Sequence, residues 1–269
     1  MPSQVNRGSP FMTDRRNWGD RMRSGFLHSI GLALAMIIAA PAASAQTVGM
    51  IGPGGSKITV EPLGPQQDEV VRGLKLIASG KPAEAEKLFT SIIAWFEASH
   101  DPAVPYRCTS DGDKAKRTIE LSAPGVNGKN YTLGGYVWCA ALFGKGYALI
   151  DLHRPDDAGP YLARAVEMAP ADAHYVNEYA EWFKSRRQWQ QSFDLFAHAW
   201  DIADHDKQGT DRKIAARALR GMAYNKVEMG ELDEAERLNR QSLEFEPEHG
   251  GVRGELDYIA GLKARRGKN

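Results

Sequence analysis

The sequence predicts an all-α fold, a solenoid of helical hairpins that carries a small β-hairpin insert. Small residues recur at equal offsets in units of about 34 residues, large apolar residues lie between them, and polar turns separate the helical segments. In the unit that begins at Cys139, the small residues are Gly146, Ala158 and Ala165, and Pro170 ends the unit. Small side chains let two helices approach closely, and a proline cannot continue a helix. The pattern therefore predicts stacked pairs of antiparallel helices.

The same spacing returns in other parts of the chain. Units that begin at Ala173 and Ala216 follow the first one, and a degenerate copy occupies residues 66–100. The small residues at matching positions are Ala180, Ser192, Ala199, Ala223, Ala235 and Ser242, with Gly73 and Ala85 in the degenerate copy. A repeat of one supersecondary unit predicts that each unit buries its apolar face against its neighbour.

Pro160 conflicts with the second helix of the Cys139 unit, because a proline inside a helix removes a backbone donor. The conflict disappears if Asp156 or Asp157 is the N-cap, since Pro160 then lies in the first turn, where its missing N–H costs nothing. We therefore expect the helix to begin there.

The pattern of small residues, large residues and terminal proline resembles the tetratricopeptide repeat (TPR). Three positions depart from the family pattern: Lys145 and Asn239 replace large apolar residues, and Ile92 stands in the degenerate copy where a small residue is expected. The resemblance implies a tetratricopeptide-like helical-hairpin solenoid in which the first helix of each repeat lines a concave groove. It also implies that the groove binds a protein or peptide partner.

The family's groove positions can be carried over onto the first helices of the repeats. They fall on Phe143, Tyr147, Asn177, Glu181, Arg217, Arg220 and Tyr224. Aromatic and arginine side chains are typical of surfaces that bind an extended peptide or a partner helix. An alternative for Phe143 and Tyr147 is that they pack under the insert. The family's clamp for a C-terminal carboxylate needs lysine and asparagine at groove positions that these two residues occupy, so we do not expect that ligand.

The sequence divides into five parts. A leader is followed by an extended N-terminal arm, a degenerate first repeat, a β-hairpin insert, and three repeats with a C-terminal capping helix. Their predicted limits are 1–45, 46–65, 66–100, 101–136 and 137–269. The capping helix is expected from about Val252 to Arg265, where Leu256, Ile259 and Leu262 would cover the apolar face of the last repeat.

Residues 1–45 have the pattern of a secretory signal peptide. An apolar run at 30–40 follows basic residues, and small residues at 43–45 suit a cleavage site. The run is shorter than the roughly 20 residues that span a bilayer. A start at Met22 would make residues 1–21 a mis-called extension. The pattern predicts a periplasmic or secreted protein without a membrane span after cleavage.

The insert carries β character. Residues 117–122 alternate between polar and apolar side chains, Asn127-Gly128 is a strong hairpin-turn pair, and a second short strand is expected at Tyr131–Leu133. A further short strand is expected at Ile58–Glu61 in the N-terminal arm. The sequence therefore predicts a two-stranded hairpin in the insert.

The chain has two cysteines, Cys108 and Cys139. Export would place them in an oxidising compartment, which favours a disulfide over two buried free thiols. The bond would tie the front of the insert to the first helix of the next repeat. A two-stranded hairpin is marginal alone, so this attachment would stabilise it.

Composition and motifs exclude several function classes. Lys+Arg and Asp+Glu are 34 each, so the formal charge is +0 and no nucleic-acid partner is expected. The sequence contains no HExxH, GxSxG or phosphate-binding glycine loop. We therefore expect a non-enzymatic scaffold with no metal or cofactor.

Two alternatives stay open. The protein could instead be an envelope-associated enzyme or enzyme subunit that acts through the 101–136 insert. It could also form a homo-oligomer in which the groove receives a neighbour's N-terminal arm.

Overall fold

The computed structural model describes residues 48–52, 55–61, 66–109, 117–122, 128–203, 207, 209 and 211–266. The predicted signal peptide lies outside these residues. The helices follow one another in antiparallel pairs along the chain. They are α1 (Gln67–Ala78), α2 (Pro82–Ser99), α3 (Val137–Asp151), α4 (Pro155–Met168), α5 (Ala173–Ser185), α6 (Trp189–Ile202), α7 (Arg212–Met229), α8 (Leu232–Ser242) and α9 (Gly250–Arg266). Within the described ranges, no helix has the length and apolar character needed to cross a membrane.

The small residues of the repeat pattern lie where helices press on one another, as predicted. Ala158, Ala165, Ala180 and Ala223 are each 0% exposed. A Cβ atom on Gly146 would lie 2.8 Å from Leu162 Cδ2 and 3.4 Å from the carbonyl oxygen of Ala158. Helix α3 therefore packs on α4 with no room for a side chain at this level, and the predicted helical-hairpin solenoid is confirmed.

Contacts between successive repeats use a large ring against a glycine. The Phe89 ring on α2 is fully buried and lies against Gly73 on α1 and Gly144 on α3. Farther along the chain, the Phe196 ring on α6 lies against Gly221 on α7 in the same way. Each ring fills the space that a glycine leaves open, so neighbouring repeats dock closely.

The turn between the two helices of each repeat holds one residue in the left-handed region. The residues are Gly80, His153, Arg187 and Gly230, with φ of 73°, 59°, 60° and 84°. Each lies fourteen residues after the start of its unit (66, 139, 173 and 216). Glycine adopts this conformation without steric cost, whereas His153 and Arg187 adopt it against the clash of their own Cβ.

The start of α4 differs from the prediction. The helix begins at Pro155, with Arg154 at the N-cap position, so neither Asp156 nor Asp157 caps it and Pro160 lies inside the helix. Proline has a fixed φ that suits the first helical position, which explains why Pro155 starts the helix. Asp156 and Asp157 lie in the first turn, where their charges favour the helix dipole.

The β structure is a four-stranded sheet rather than a two-stranded hairpin. Its strands are β1 (Val48–Ile51), β2 (Lys57–Val60), β3 (Tyr106–Thr109) and β4 (Tyr131–Gly135). They lie in the order β1-β2-β4-β3, with β1 antiparallel to β2 and both other pairs parallel. The N-terminal arm thus supplies half of the sheet, including the strand expected near Ile58.

The strand predicted over 117–122 is wrong, because these residues are helical. The alternation was mistaken for a strand signal: Ile119 packs on the sheet cluster of Ile58, Tyr131 and Leu133, whereas Glu120 is exposed. Pairing with β2 and β3 already uses both edges of β4, so no place is left beside it for a second insert strand.

The opposite face of the sheet packs on the helices. The Tyr106 ring lies 5.0 Å from the Trp138 ring of α3, and the Phe96 ring of α2 stacks on Trp138 at 5.2 Å. The predicted disulfide is present between Cys108 on β3 and Cys139 on α3. These contacts attach the insert to the repeat array.

Helix α9 covers the end of the array. Ile259 is 0% exposed and packs with Leu232 and Ala235 of α8, and Leu262 lies partly buried against the same cluster. Leu256 is also partly buried. The helix is slightly longer at each end than the segment expected from the sequence.

Candidate partner-binding face

The residues at the expected groove positions lie on α3, α5 and α7, the first helices of three repeats. We call the side of these helices that carries them the inner face. Helix α5 begins at Ala173 because the Asp172 side chain accepts hydrogen bonds from the backbone N–H groups of His174 and Tyr175, at 3.0 and 3.3 Å. This cap fixes the point at which α5 begins.

Phe143 and Tyr147 do not present a surface to a partner. They are 2% and 1% exposed. The Phe143 ring stacks on Tyr175 of α5 with a centroid distance of 4.7 Å, and it also contacts His174 at 5.3 Å. Phe143 therefore packs α3 against α5, and Tyr147 is buried beside it with a ring distance of 6.0 Å, so this part of the predicted groove is corrected.

The reason is that α3 is buried along its length. Every residue from Val137 to Ile150 is buried, since α1, α2, α4 and strand β3 all pack against this helix. Its sequence is apolar on all sides, a pattern typical of a central helix. That signal was present in the sequence and argued against an exposed groove on α3.

Asn177 is also internal, with 1% of its surface exposed. Its Nδ2 donates a hydrogen bond to the carbonyl oxygen of Ile214 on α7, at 3.1 Å. The side chain thus links α5 to the backbone near the start of α7 in the next repeat. Asn177 has a structural role at the α5–α7 contact, so it too is removed from the set of partner-facing residues.

Arg217 reaches from α7 to two glutamates of α5. Its Nη1 donates to Glu178 Oε1, and its Nη2 lies 4.0 Å from Glu181 Oε1. The Glu178 side chain is 3% exposed and that of Arg217 is 23% exposed. Burial by itself would lower the pKa of Arg217, but Glu178 and then Glu181 raise it above its ordinary value. The guanidinium therefore stays charged.

The sequence reasoning missed Glu178. It is three residues before Glu181, so the two carboxylates share one side of α5. That spacing, opposite a helix with Arg217 and Arg220, was the available signal. Glu178 was not a groove position of the family, and only the docking of α7 on α5 shows that it is the buried partner.

Arg220 forms a second ion pair. Its Nη1 donates to Oε2 of Glu246 at 2.6 Å, and the two side chains are 22% and 20% exposed. Burial lowers the pKa of Arg220, and the Glu246 charge opposes that shift. Glu246 follows α8, so this pair links the inner face to the start of the segment that leads into α9.

Tyr224 lies at the far end of the inner face. Its ring is 4.9 Å from Lys184 Nζ and 6.0 Å from the Trp189 ring. Lys184 Nζ also binds Oε2 of Glu181 at 2.5 Å. Burial, followed by the charge of Glu228, raises the pKa of Tyr224 above its ordinary value. The phenol therefore stays neutral at physiological pH.

Four of the seven expected groove residues remain partly exposed on the inner face. They are Glu181, Arg217, Arg220 and Tyr224. Together they place carboxylate and guanidinium groups, and the ring of Tyr224, across α5 and α7; the Tyr224 hydroxyl itself is buried. Across the described ranges, no group of three or more His, Cys, Asp or Glu side chains is arranged to hold a metal ion.

Comparison with solved structures identifies the fold. A double mutant of MamA (RS-1) superposes on this chain with a TM-score of 0.50 at 11% sequence identity, and the match covers 75% of this chain and 86% of that chain. The Arabidopsis OM64 TPR domain gives 0.39 at 19% identity, over 45% and 93%. The first TPR of Spaghetti (RPAP3), bound to an HSP90 peptide, gives 0.41 at 16%, over 47% and 93%. No family model and no curated protein match the sequence. The chain therefore has a TPR-like fold.

Proposed function

We propose that this protein is an exported, non-enzymatic scaffold that binds a protein or peptide partner through the inner face of α5 and α7. The observation that carries the proposal is the row of partly exposed side chains Glu181, Arg217, Arg220 and Tyr224. Ion pairs within the chain hold the charged members in place before a partner arrives. Such preorganisation reduces the entropy lost on binding.

Export is supported by the leader pattern and by the Cys108–Cys139 disulfide. Disulfides persist in oxidising compartments, and the periplasm or the cell exterior would provide one. Fractionation of cells that express the tagged full chain tests this part. Recovery with the cytoplasm, with both thiols free to an alkylating reagent in denaturant, would reject export.

The binding proposal is tested by photocrosslinking in the cell envelope. A photoreactive residue at Tyr224 is compared with one at Arg240, whose side chain is 66% exposed on α8. We expect a partner captured at Tyr224 and absent at Arg240. If both positions capture the same proteins, the inner face is not the working surface.

Two arginine-to-alanine substitutions compare the inner face with the exposed side of α8. Arg220→Ala removes a partly exposed charge of the inner face, and Arg240→Ala makes the same chemical change on α8. We expect capture to fall about ten-fold or more in the first variant, the loss typical of a binding hot spot, and to be unchanged in the second. Charge reversal of Arg217 is unsuitable, because it would leave buried Glu178 without its cation.

The homo-oligomer is a distinct outcome of the same experiment. If the captured protein is a second copy of this chain, light scattering on the purified protein will give twice the monomer mass or more. Insertion of the arm into a neighbour would have to involve residues before β1, or else break the pairing of β2 with β4.

A further inference from the structure

Among the described residues, the small sheet contains a buried positive charge that forms no direct ion pair. In the part of the chain that the structure describes, the buried charged residues are Arg107, Lys145 and Glu178. Lys145 lies 3.9 Å from Glu86 and over the Tyr161 ring, and Glu178 binds Arg217. Arg107 on β3 is 6% exposed and forms no ion pair within those ranges.

The hydrogen bonds of Arg107 do not supply an ion-pair partner. Its Nη1 donates to the carbonyl oxygen of the adjacent Tyr106 at 3.0 Å, and its Nε has no acceptor among the described residues. Guanidinium groups do not lose their proton in proteins. A buried ion without an ion-pair partner is strongly disfavoured relative to the same ion in water. Arg217 provides the contrast, since it is more exposed than Arg107 and contacts two glutamates.

Two buried hydroxyl groups on or against the same face of the sheet also lack a partner among the described residues. Arg107 pairs with Leu133 in the β3–β4 register, so it lies on the same face as Tyr131 and Leu133. The Tyr131 hydroxyl is buried and lacks a hydrogen-bond partner in the described part of the chain. The helical segment 117–122 packs on this face through Ile119, and its Ser122 hydroxyl is also buried, with no partner among the residues that the structure describes.

This set of groups fits one kind of ligand. The guanidinium presents a planar fork that matches the two oxygens of a carboxylate or two oxygens of a phosphate. The neighbouring hydroxyls are neutral, and the negative charge of Glu167 acts on Arg107. One cation beside an existing negative charge favours a monoanion over a doubly charged phosphate.

We propose that Arg107 binds the carboxylate of a ligand at the sheet face that it shares with Tyr131 and Leu133. The carboxylate takes the place beside Arg107 that Glu178 takes beside Arg217. Its source is either a small organic acid or the carboxylate of a partner peptide. The site belongs to the insert and is separate from the inner face, so either can fail without the other.

The test uses the disulfide-bonded full chain labelled with ¹⁵N, observed through the Nε–Hε signals of arginine. The probes are sodium acetate, an N-acetylated alanine tripeptide with a free C-terminal carboxylate, and the C-terminal amide of that tripeptide. Sodium chloride at equal ionic strength serves as the control. We expect a saturable shift of the Arg107 signal with a carboxylate probe, with Kd of about 1 mM or below.

The arms distinguish the two sources. Saturation with acetate identifies a small organic acid, and saturation with the tripeptide acid but not acetate identifies a peptide carboxylate. The amide and chloride should leave the Arg107 signal unchanged, and the paired Arg217 should not respond to any probe. No saturable shift of Arg107 with either carboxylate overturns the proposal.

Arg107→Lys keeps the charge and removes the fork. We expect its affinity for the responding probe, measured by calorimetry, to be about ten-fold weaker or worse. Equal affinity would overturn the assignment to the guanidinium. If this variant does not fold, the titration of the wild-type protein decides the question alone.

Discussion

The Arg217–Glu178 pair offers the sharpest test of how the inner face is held. Arg217→Met removes the cation and leaves a carboxylate that is 3% exposed. Loss of one partner of a buried ion pair typically costs about 3–5 kcal/mol. We expect a loss of about 3 kcal/mol, at the lower end of that range, because the Arg217 side chain is 23% exposed.

The assay is equilibrium unfolding in urea, followed by circular dichroism with the disulfide intact. With a slope of about 2–3 kcal/mol per molar urea for a chain of this size, the midpoint should fall by about 1 M. The double variant Arg217→Met/Glu178→Leu removes both charges, so its stability should return to within about 1 kcal/mol of wild type. The coupling energy between the sites should then be about 2 kcal/mol or more.

Two results would refute this reasoning. The first is a loss below about 1 kcal/mol in Arg217→Met, which would mean that Glu178 finds water or another donor at little cost. The second is a double variant whose loss equals the sum of the single losses, which would show that the two side chains act independently.

The remaining predictions concern packing, turns, the disulfide and pH. Gly144→Ala should lower the free energy of unfolding by about 1–3 kcal/mol, because the new Cβ would lie 2.4 Å from Phe89 Cζ. Gly261→Ala has open space around its Cβ and should raise the free energy of unfolding by about 0.5–1 kcal/mol. Equal effects of the two variants in urea unfolding would contradict the packing. His153→Gly should stabilise the protein by about 0.5–1 kcal/mol by relieving its positive φ, and a lower melting temperature would reject this account. Cys139→Ser should lower the free energy of unfolding by about 3–4 kcal/mol, because the disulfide closes a loop with a sequence separation of 31. A urea midpoint equal to that of wild type would show that the loop is ordered without the disulfide. Burial, and then Asp172, raises the pKa of Tyr175 well above the ordinary 10.0. The stability that its neutral form contributes is therefore complete below about pH 10 and is lost as the pH rises further. A spectrophotometric titration in which every tyrosine ionises near pH 10 before the protein unfolds would contradict this.

The structure changes which side chains of the inner face are exposed. The sequence predicted a groove of mixed aromatic, charged and amide side chains that begins at Phe143, whereas the exposed part is mainly charged and centred on α5 and α7. Partners of such a surface are selected by charge complementarity, which affects association rate and specificity strongly. Capture through the inner face should therefore weaken as ionic strength rises.

Much of the array could be predicted from local pattern. Ala158, Ala165 and Ala180 were assigned to helix contacts from their spacing, and all are fully buried. This succeeds because a helix turns by a constant angle per residue, so the spacing of small side chains determines which face can approach a neighbour. The left-handed turn residue was missed, although glycine occupies it at positions 80 and 230.

The insert shows where local pattern fails. Residues 117–122 alternate like a strand, yet they are helical and pack on a sheet formed from two distant parts of the chain. Six residues are too few to separate a period of 2 from one of 3.6. Strand pairing depends on partners far away in sequence, and nothing near residue 120 could indicate that β2 lies beside β4.

The amino-acid sequence by itself determined the stacked helical hairpins, the cap by α9 and the pairing of the two cysteines, because periodicity and cysteine number are local or countable properties. Only the tertiary structure decided that α3 is central, that Glu178 is the buried partner of Arg217, and that Arg107 is buried in the sheet with no ion pair among the described residues. The physical reason is that burial and ion pairing depend on which elements meet in space. A side chain's position in its own helix or strand limits the possible neighbours but does not select among them.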